Sequence, residues 1–372
     1  MTRPNDGPER AHRALTVAAV VPARNAAETL PACLAGLAAA GFGAGEVVVV
    51  DDGSTDRTAE LARAAGARVV PGEGAGAAAA RNLGAAAAAA DILLFVDADV
   101  VAKPDARERV LRFFADHPGH SAVFGAYCDA PPAPGLVSRA RNLLHRHVHR
   151  AGAGEAETFW TGLGAVRRDD FEAVGGFDPA QRMMEDVALG MALRRAGHRI
   201  RIDPALEGTH LKRWTLASMV RTDLLDRAVP WSRLILTGGA GDTLNVSPEG
   251  RRSVLAAGGA AAALCVLPFA PPLAAAGLVV GAVGLVQANR AFLGGLRRER
   301  GLGFAAGATG MLWAHYLAGG LGYAWVRLVE RPRPGPSLRA DARPSAHAGA
   351  HSAAMLSDRC PPSTEESRSN SS

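Results

Sequence analysis

Val47-Val48-Val49-Val50 runs into Asp51-Asp52-Gly53-Ser54-Thr55-Asp56, and Ile92-Leu93-Leu94-Phe95-Val96 runs into Asp97-Ala98-Asp99. Strands covered on both faces need short, unbroken runs of β-branched and large apolar residues, so each run predicts a central strand of a parallel sheet. In open α/β sheets, ligands settle outside the carboxyl ends of the strands. Two acidic clusters at two such ends therefore predict one crevice lined with carboxylates. Hard oxygen ligands there suit Mg²⁺ or Mn²⁺, and a divalent ion suits a diphosphate.

The flanking sequence continues the alternation. Residues 14–21 read as a first strand, followed by the turn Pro22-Ala23-Arg24-Asn25 and a helix over 28–40 with Pro31 in its first turn. A strand over 46–50 precedes a helix over 56–65 that Ser54 or Thr55 can cap. A strand over 68–70, the Gly72–Gly76 loop, an alanine-rich helix over 77–90 and a strand over 92–96 follow. This spacing predicts a doubly wound, Rossmann-like α/β sheet. Farther on, strands are expected over 122–129, 161–167 and 200–202, and helices over 136–150, 170–174 and 185–195.

The chain has 372 residues, 48% of them hydrophobic, and a formal net charge of +5. Arginine is spread widely rather than massed, which argues against a nucleic-acid binder and allows contact with anionic lipid. The four cysteines, Cys33, Cys128, Cys265 and Cys360, form no CxxC, so no disulfide framework or zinc site is expected. Residues 1–13 are polar, without the apolar core of a signal peptide, and read as a disordered start. Residues 253–289 are nearly uncharged. Apolar stretches over 253–270, 273–288 and 302–326 predict a membrane region of two to three helices within 251–329. A hairpin with Arg251-Arg252 and Arg297–Arg300 both cytosolic obeys the positive-inside rule, whereas a third span would place Arg327, Arg331 and Arg333 outside, against it. Residues 330–372 read as a disordered tail. Residues 214–237 read as an amphipathic helix lying at the membrane interface.

Several ordered pieces resemble the family 2 glycosyltransferases of GT-A fold. They are Val20–Asn25, Asp51–Asp56, Gly74-Ala75-Gly76 with Ala80–Gly84, Asp97-Ala98-Asp99, Gly175-Gly176-Phe177-Asp178, and Glu185-Asp186. The resemblance spans about 14–236 and implies a nucleotide-diphosphate sugar as donor, with a domain over 14–237. It implies donor contacts from Pro22, Ala23, Arg24, Asn25, Glu28, Asp51, Asp52, Ser54, Gly76, Arg81, Asp97, Ala98 and Asp99, with Arg81 reaching a phosphate or the base. Alternation is expected to put Asp97 and Asp99 on one side, with Asp99 binding the ion and Asp97 the ribose or a bound water. His210 completes the candidate metal set of Asp97, Asp99 and His210.

Asp186 resembles the family's base for the acceptor hydroxyl, with Glu185 orienting it or the acceptor. Trp160, Gly162, Gly164, Arg213 and Trp214 are placed on the acceptor side. His145, His147 and His149, with Arg139, Arg141, Arg146 and Arg150, are expected to form a basic face near lipid head groups. The processive branch of the family carries Gln-x-x-Arg-Trp. Here His210 takes the Gln place before Arg213-Trp214, which favours transfer of a single sugar over polymer synthesis.

The reading is thus an integral-membrane, metal-dependent, inverting glycosyltransferase with a lipid-like acceptor and a cytoplasmic catalytic domain. Two alternatives stay open at this point: a polysaccharide-synthesis transferase with a soluble glycan acceptor, and a non-catalytic sugar-nucleotide-binding protein of the same fold.

Overall fold

A computed structural model describes residues 14–237 and 247–332. The expectations for 1–13 and for 333–372 lie outside the described residues. The first half alternates as β1 (Val17–Ala23), α1 (Leu30–Ala39), β2 (Val47–Asp51), α2 (Thr58–Ala64), β3 (Arg68–Pro71), α3 (Ala77–Ala87) and β4 (Ile92–Val96). There follow β5 (Val100–Ala102), α4 (Ala106–Asp116), β6 (His120–Tyr127), α5 (Leu136–Ala151), β7 (Gly154–Ala156), β8 (Leu163–Arg167), α6 (Arg168–Ala173), α7 (Glu185–Arg195) and β9 (Arg199–His210). Among the described residues the strands form one mixed sheet, in the order β3-β2-β1-β4-β8-β6-β9-β5, with β7 paired to β9.

The unbroken apolar runs have the expected cause. Val47, Val49, Ile92, Leu94 and Val96 pack into a core with α1 and α4, while Val48, Val50, Leu93 and Phe95 pack into a second core with α3, α6 and α7. Strand alternation therefore feeds two hydrophobic layers, and the sheet is sandwiched between helices. β1, β2, β3 and β4 are parallel, so their carboxyl ends share one edge. The antiparallel β5–β9 pair sets Val100 against His210, which brings the end of a strand twelve residues long to Asp99. That strand is far longer than the expected 200–202 because it runs parallel to β6 and then bends across to β5.

The stretch 214–237 is helical, as α8 (Leu216–Arg221), a wider turn over Thr222–Ala228, and α9 (Val229–Leu236). It does not lie bare at a surface: Trp214 and Met219 are buried in a third core with Leu143, Leu144, Leu285, Phe292, Ala308 and Leu312. The helices that complete this core are α10 (Pro248–Val266), α11 (Pro271–Ala288), α12 (Arg290–Arg300) and α13 (Leu302–Trp325).

Among the described residues one helix, α11, is long and apolar enough to cross a membrane. The third stretch differs from the expected span. α13 packs against α5, α8 and α9, and its His315 Nδ1 lies 2.8 Å from Asp223 Oδ2 and 3.0 Å from Arg141 Nη1. Just beyond it, Glu330 pairs with Arg233 of α9 at 2.7 Å. The middle of this helix and the residues just beyond its end are thus pinned to earlier parts of the chain by ion pairs.

Candidate functional site

The carboxyl ends of β1, β2 and β4 carry the sequence motifs to one edge. Asn25, held at φ +50°, bridges the first two: its N–H donates to Ser54 Oγ (2.9 Å) and its Oδ1 accepts from Thr55 N (2.8 Å). Ser54 N in turn donates to Asp51 Oδ1 (3.2 Å). Pro22, Ala23 and Ala98 lie along this edge with little exposed side chain, while Arg24, Asn25 and Glu28 are exposed at its rim. Ser54 thus links two strand ends, and neither it nor Thr55 caps α2, where Asp56 Oδ1 accepts from Thr58 N instead.

Asp52 is placed differently from the expected donor contact. It is buried, and its carboxylate accepts from the backbone N–H groups of Gly74, Ala75 and Gly76 at 2.8–3.1 Å. Its charge is spent holding the glycine loop against β2. Gly74 and Gly76 sit at φ +74° and +101°, a region glycine enters without steric cost.

Arg81 is likewise not turned toward a phosphate. Its side chain is 6% exposed, with Nη2 donating to Asp97 Oδ1 (2.8 Å) and Nη1 to Glu185 Oε1 (2.6 Å). The guanidinium lies 5.6 Å from the Phe177 ring centroid. It joins the end of β4 to the start of α7, and so ties the two halves of the crevice together. The chain turns after Val96, so strand alternation stops before the acidic pair: Asp97 pairs with Arg81, while Asp99 meets His210, its Oδ2 3.4 Å from Nε2. Burial raises the Asp97 carboxyl, and Arg81 only partly offsets it. Burial also pushes Asp99 up, but the hydrogen bond and charge of His210, with Lys212, outweigh it and the net direction is down.

Asp186 stands in the first turn of α7, behind Met184 at φ +65°, with Oδ1 accepting from Val187 N (2.8 Å). Burial, with the neighbouring Glu185 charge, pushes its carboxyl up to about 6, against the pull of Arg81. A carboxylate poised near neutrality is suited to take a proton.

Residues 18–175 match the family model "Glycosyl transferase family 2". Over those residues, less than half of the chain, the protein is similar to glycosyl transferase family 2. An uncharacterized glycosyltransferase of Haemophilus influenzae is 28% identical over 180 residues, 45% of this chain and 58% of that protein. The 4,4'-diaponeurosporenoate glycosyltransferase of Staphylococcus haemolyticus is 36% identical over 108 residues, 27% of this chain and 28% of that protein. The chain thus spans less than two thirds of the length of these curated relatives. A mannosyltransferase of Pyrobaculum calidifontis, solved with GDP-Man and Mn²⁺, superposes with a TM-score of 0.50 at 21% identity, over 84% of this chain and 88% of that one. The likeness is one of fold, and the fold is GT-A.

Within this glycosyltransferase domain, the residues expected on the acceptor side have mixed placements. Trp160 is half-buried in an aromatic cluster, edge-on to Tyr127 and His149 and tilted against His145. A Cβ on Gly162 would fall 2.2 Å from the Trp160 ring, and one on Gly164 would fall 2.2 Å from the Trp160 carbonyl. These glycines make room for Phe159-Trp160, which accounts for them without a sugar. Trp214 is buried under Lys212, whose Nζ is 4.3 Å from its ring centroid, and Arg213 is exposed.

The basic face expected on α5 is broken up, although Arg139 and Arg150 stay exposed on it. His145 and His149 turn inward, Arg141 is buried against Asp223, Arg146 pairs with Asp129 and Arg150 with Glu207. Two contributors had not been anticipated. Asn142 Oδ1 lies 2.6 Å from His210 Nδ1, and the Tyr127 ring stacks on His210 at 4.4 Å with 5° between planes. The sequence signal for Asn142 was its spacing from Ser138 and His145 on one helical face.

The donors present fit a hard divalent ion. Asp99 and His210 Nε2 face one another, and the other ring nitrogen of His210 is held by Asn142, as metal-ligating imidazoles are held by a hydrogen-bond partner. Among the described residues no three such side chains cluster. Asp99 and His210 would hold the ion, and oxygens of a diphosphate would complete its coordination.

Proposed function

We propose that the protein is a metal-dependent, inverting glycosyltransferase that moves one sugar from a nucleotide-diphosphate sugar to a lipid-like acceptor at the cytosolic membrane face. The observation that carries this reading is one edge of the sheet bearing Asp51, Asp99 and His210, joined through Arg81 to an α7 that begins with Asp186. Asp51 receives the base or ribose. Asp99 and His210 hold the ion, which when bound supplies a Lewis acid to the departing diphosphate. The acceptor oxygen attacks the anomeric carbon from the face opposite the diphosphate, and its proton passes to the Asp186 carboxylate. Arg81 acts through others: it fixes Asp97 and Glu185.

The membrane part of the reading rests on the α10–α11 hairpin. Leu255, Phe269, Leu273 and Val280 are 67–86% exposed on it, a run of apolar surface that water does not favour. Gly277, Gly281 and Gly284 face Ala263, Ala260 and Ala256, the close small-residue packing that suits helices in lipid. At 1.5 Å per residue, α11 is about 27 Å long, near the bilayer core of about 30 Å. Asn289 Nδ2 donates to Ser253 Oγ (2.9 Å) and closes the base of the hairpin, and Arg300 on the following helix donates to Asp129 O (2.8 Å). The base of the hairpin, with Arg251, Arg252 and Arg297, therefore lies on the side where Arg300 meets the catalytic domain, as the positive-inside rule asks. The Staphylococcus relative is named for 4,4'-diaponeurosporenoate, which joins polyprenyl phosphates and glycerolipids among acceptors to screen.

Chelation tests the mechanism. Transfer is expected to vanish in excess chelator, return with Mn²⁺, and be lost in Asp99→Asn with the fold intact. Full turnover in chelator refutes the metal-dependent mechanism.

A further inference from the structure

His210 is held on three sides, and each contact comes from a different element. Tyr127, the last residue of β6, stacks on its ring. Asp99, between β4 and β5, faces Nε2. Asn142, on α5, faces Nδ1 through its amide oxygen at 2.6 Å. The same face of α5 carries Ser138 one turn earlier. Ser138 Oγ accepts from Trp214 N (2.7 Å) and donates to Trp214 O (3.1 Å). The segment from His210 to Trp214 is thus fastened to α5 at both ends by two residues four apart. Between them, Arg141 fastens α5 to Asp223 and His315.

The chemistry of these contacts is restrictive. An amide oxygen only accepts, so Nδ1 must carry the proton. In the neutral ring Nε2 then presents a lone pair to the Asp99 carboxylate. The two acceptors, 3.4 Å apart, are then joined only by a proton on Nε2, which makes the ring a cation, or by a bound metal ion between them. The alternative amide orientation would have Nδ2 donate to Nδ1 and leave Nε2–H to bond Asp99, which closes the pair without any cation. The amide is seen with Oδ1 toward Nδ1 at 2.6 Å and with Nδ2 buried without a hydrogen-bond partner among the described residues.

We propose that Asn142 is a positioning residue that holds His210 in the Nδ1–H tautomer, with Nε2 turned to Asp99 as a ready cation ligand. The inference rests on the reading of His210 as a metal ligand, but the tautomer itself does not depend on it. Hydrogen-bond partners of this type orient a ligating imidazole and raise its basicity.

The test uses full-length protein in lipid nanodiscs, metal-free and labelled with nitrogen-15 histidine, at about pH 8, where a free imidazole is neutral. Long-range nitrogen–proton correlation spectra read each tautomer, with His210→Gln assigning the signal. The expected result is Nδ1–H in the wild type and in Asn142→Asp, which keeps an acceptor, and loss of that tautomer in Asn142→Leu. Titration with Mn²⁺, followed by electron paramagnetic resonance, is expected to weaken roughly 10–100-fold in Asn142→Leu and by less than about threefold in Asn142→Asp. An Nε2–H form in the wild type overturns the proposal, as does an Asn142→Leu protein that keeps both tautomer and Mn²⁺ affinity. If Asn142→Leu does not fold, the wild type and Asn142→Asp decide, and Nε2–H in either overturns it. Nδ1–H in a wild type that binds no Mn²⁺ supports the positioning role and refutes the metal reading instead.

Discussion

Replacing Asp186 by Asn separates chemistry from structure. Asn keeps an oxygen for the Val187 N–H, which Asp186 Oδ1 accepts at 2.8 Å, and removes only the charge. That charge is costly where it sits: burial first, then Glu185, raises the carboxyl from 3.8 to about 6. At about 1.4 kcal/mol per unit, the rise corresponds to roughly 3 kcal/mol at most. The side chain is only half-buried, so solvent screening leaves an expected effect of ~1–2 kcal/mol. The sign follows from linkage. The folded state holds this proton more tightly than the unfolded chain, so stability present below the ordinary 3.8 is lost as pH rises through about 6. Asp186→Asn is therefore expected to unfold at a higher temperature than wild type at about pH 8, with the gain fading toward about pH 4. As the base is lost, kcat should fall by about a hundredfold to ten-thousandfold with donor affinity unchanged. The wild type should lose activity as the medium is acidified through about 6. Thermal unfolding at both pH values, paired with nucleotide affinity and turnover, is the assay. A variant that is less stable at the higher pH, or that turns over at near wild-type rate, refutes the assignment.

Three further outcomes are expected. Arg81→Met leaves Asp97 and Glu185 without their shared cation and should destabilise the domain by about 3–5 kcal/mol in urea unfolding, whereas a phosphate-binding arginine at the surface would leave stability unchanged. Arg141→Met strands the buried Asp223 and should cost a similar ~3–5 kcal/mol, with α13 becoming protease-sensitive before the sheet does; equal sensitivity of both would argue against the lock. Phe269→Glu with Leu273→Glu should release the full-length protein from anionic vesicles into carbonate, and unchanged membrane retention would refute insertion of the hairpin tip.

Much of the fold could be read from residues 14–96 because the strands there are covered on both faces, which calls for unbroken apolar runs. The motif edge was legible for the same reason: parallel strands end together. What was not legible depends on contacts far apart in sequence. Asp52 looks like a ligand carboxylate until the loop at Gly74–Gly76 folds onto it, and Arg81 looks like a phosphate arginine until Glu185 arrives from 104 residues away. Apolar periodicity does not distinguish a lipid-facing helix from one packed on protein, so α11 and α13 read alike although His315 of α13 is paired with Asp223. A chain ending at Thr237 would expose Trp214, Leu143 and Met219, so it should aggregate rather than leave the membrane cleanly.

The central claim is sugar transfer from a nucleotide-diphosphate donor to a lipid. The most direct measurement supplies full-length protein in vesicles with Mn²⁺, a panel of nucleotide sugars and candidate lipid acceptors, and follows nucleoside diphosphate release together with the acceptor's mass. The account predicts diphosphate release that requires the acceptor, with a lipid product heavier by one sugar residue and no longer polymer. Release with no glycosylated lipid, or transfer only to a soluble glycan, would contradict it.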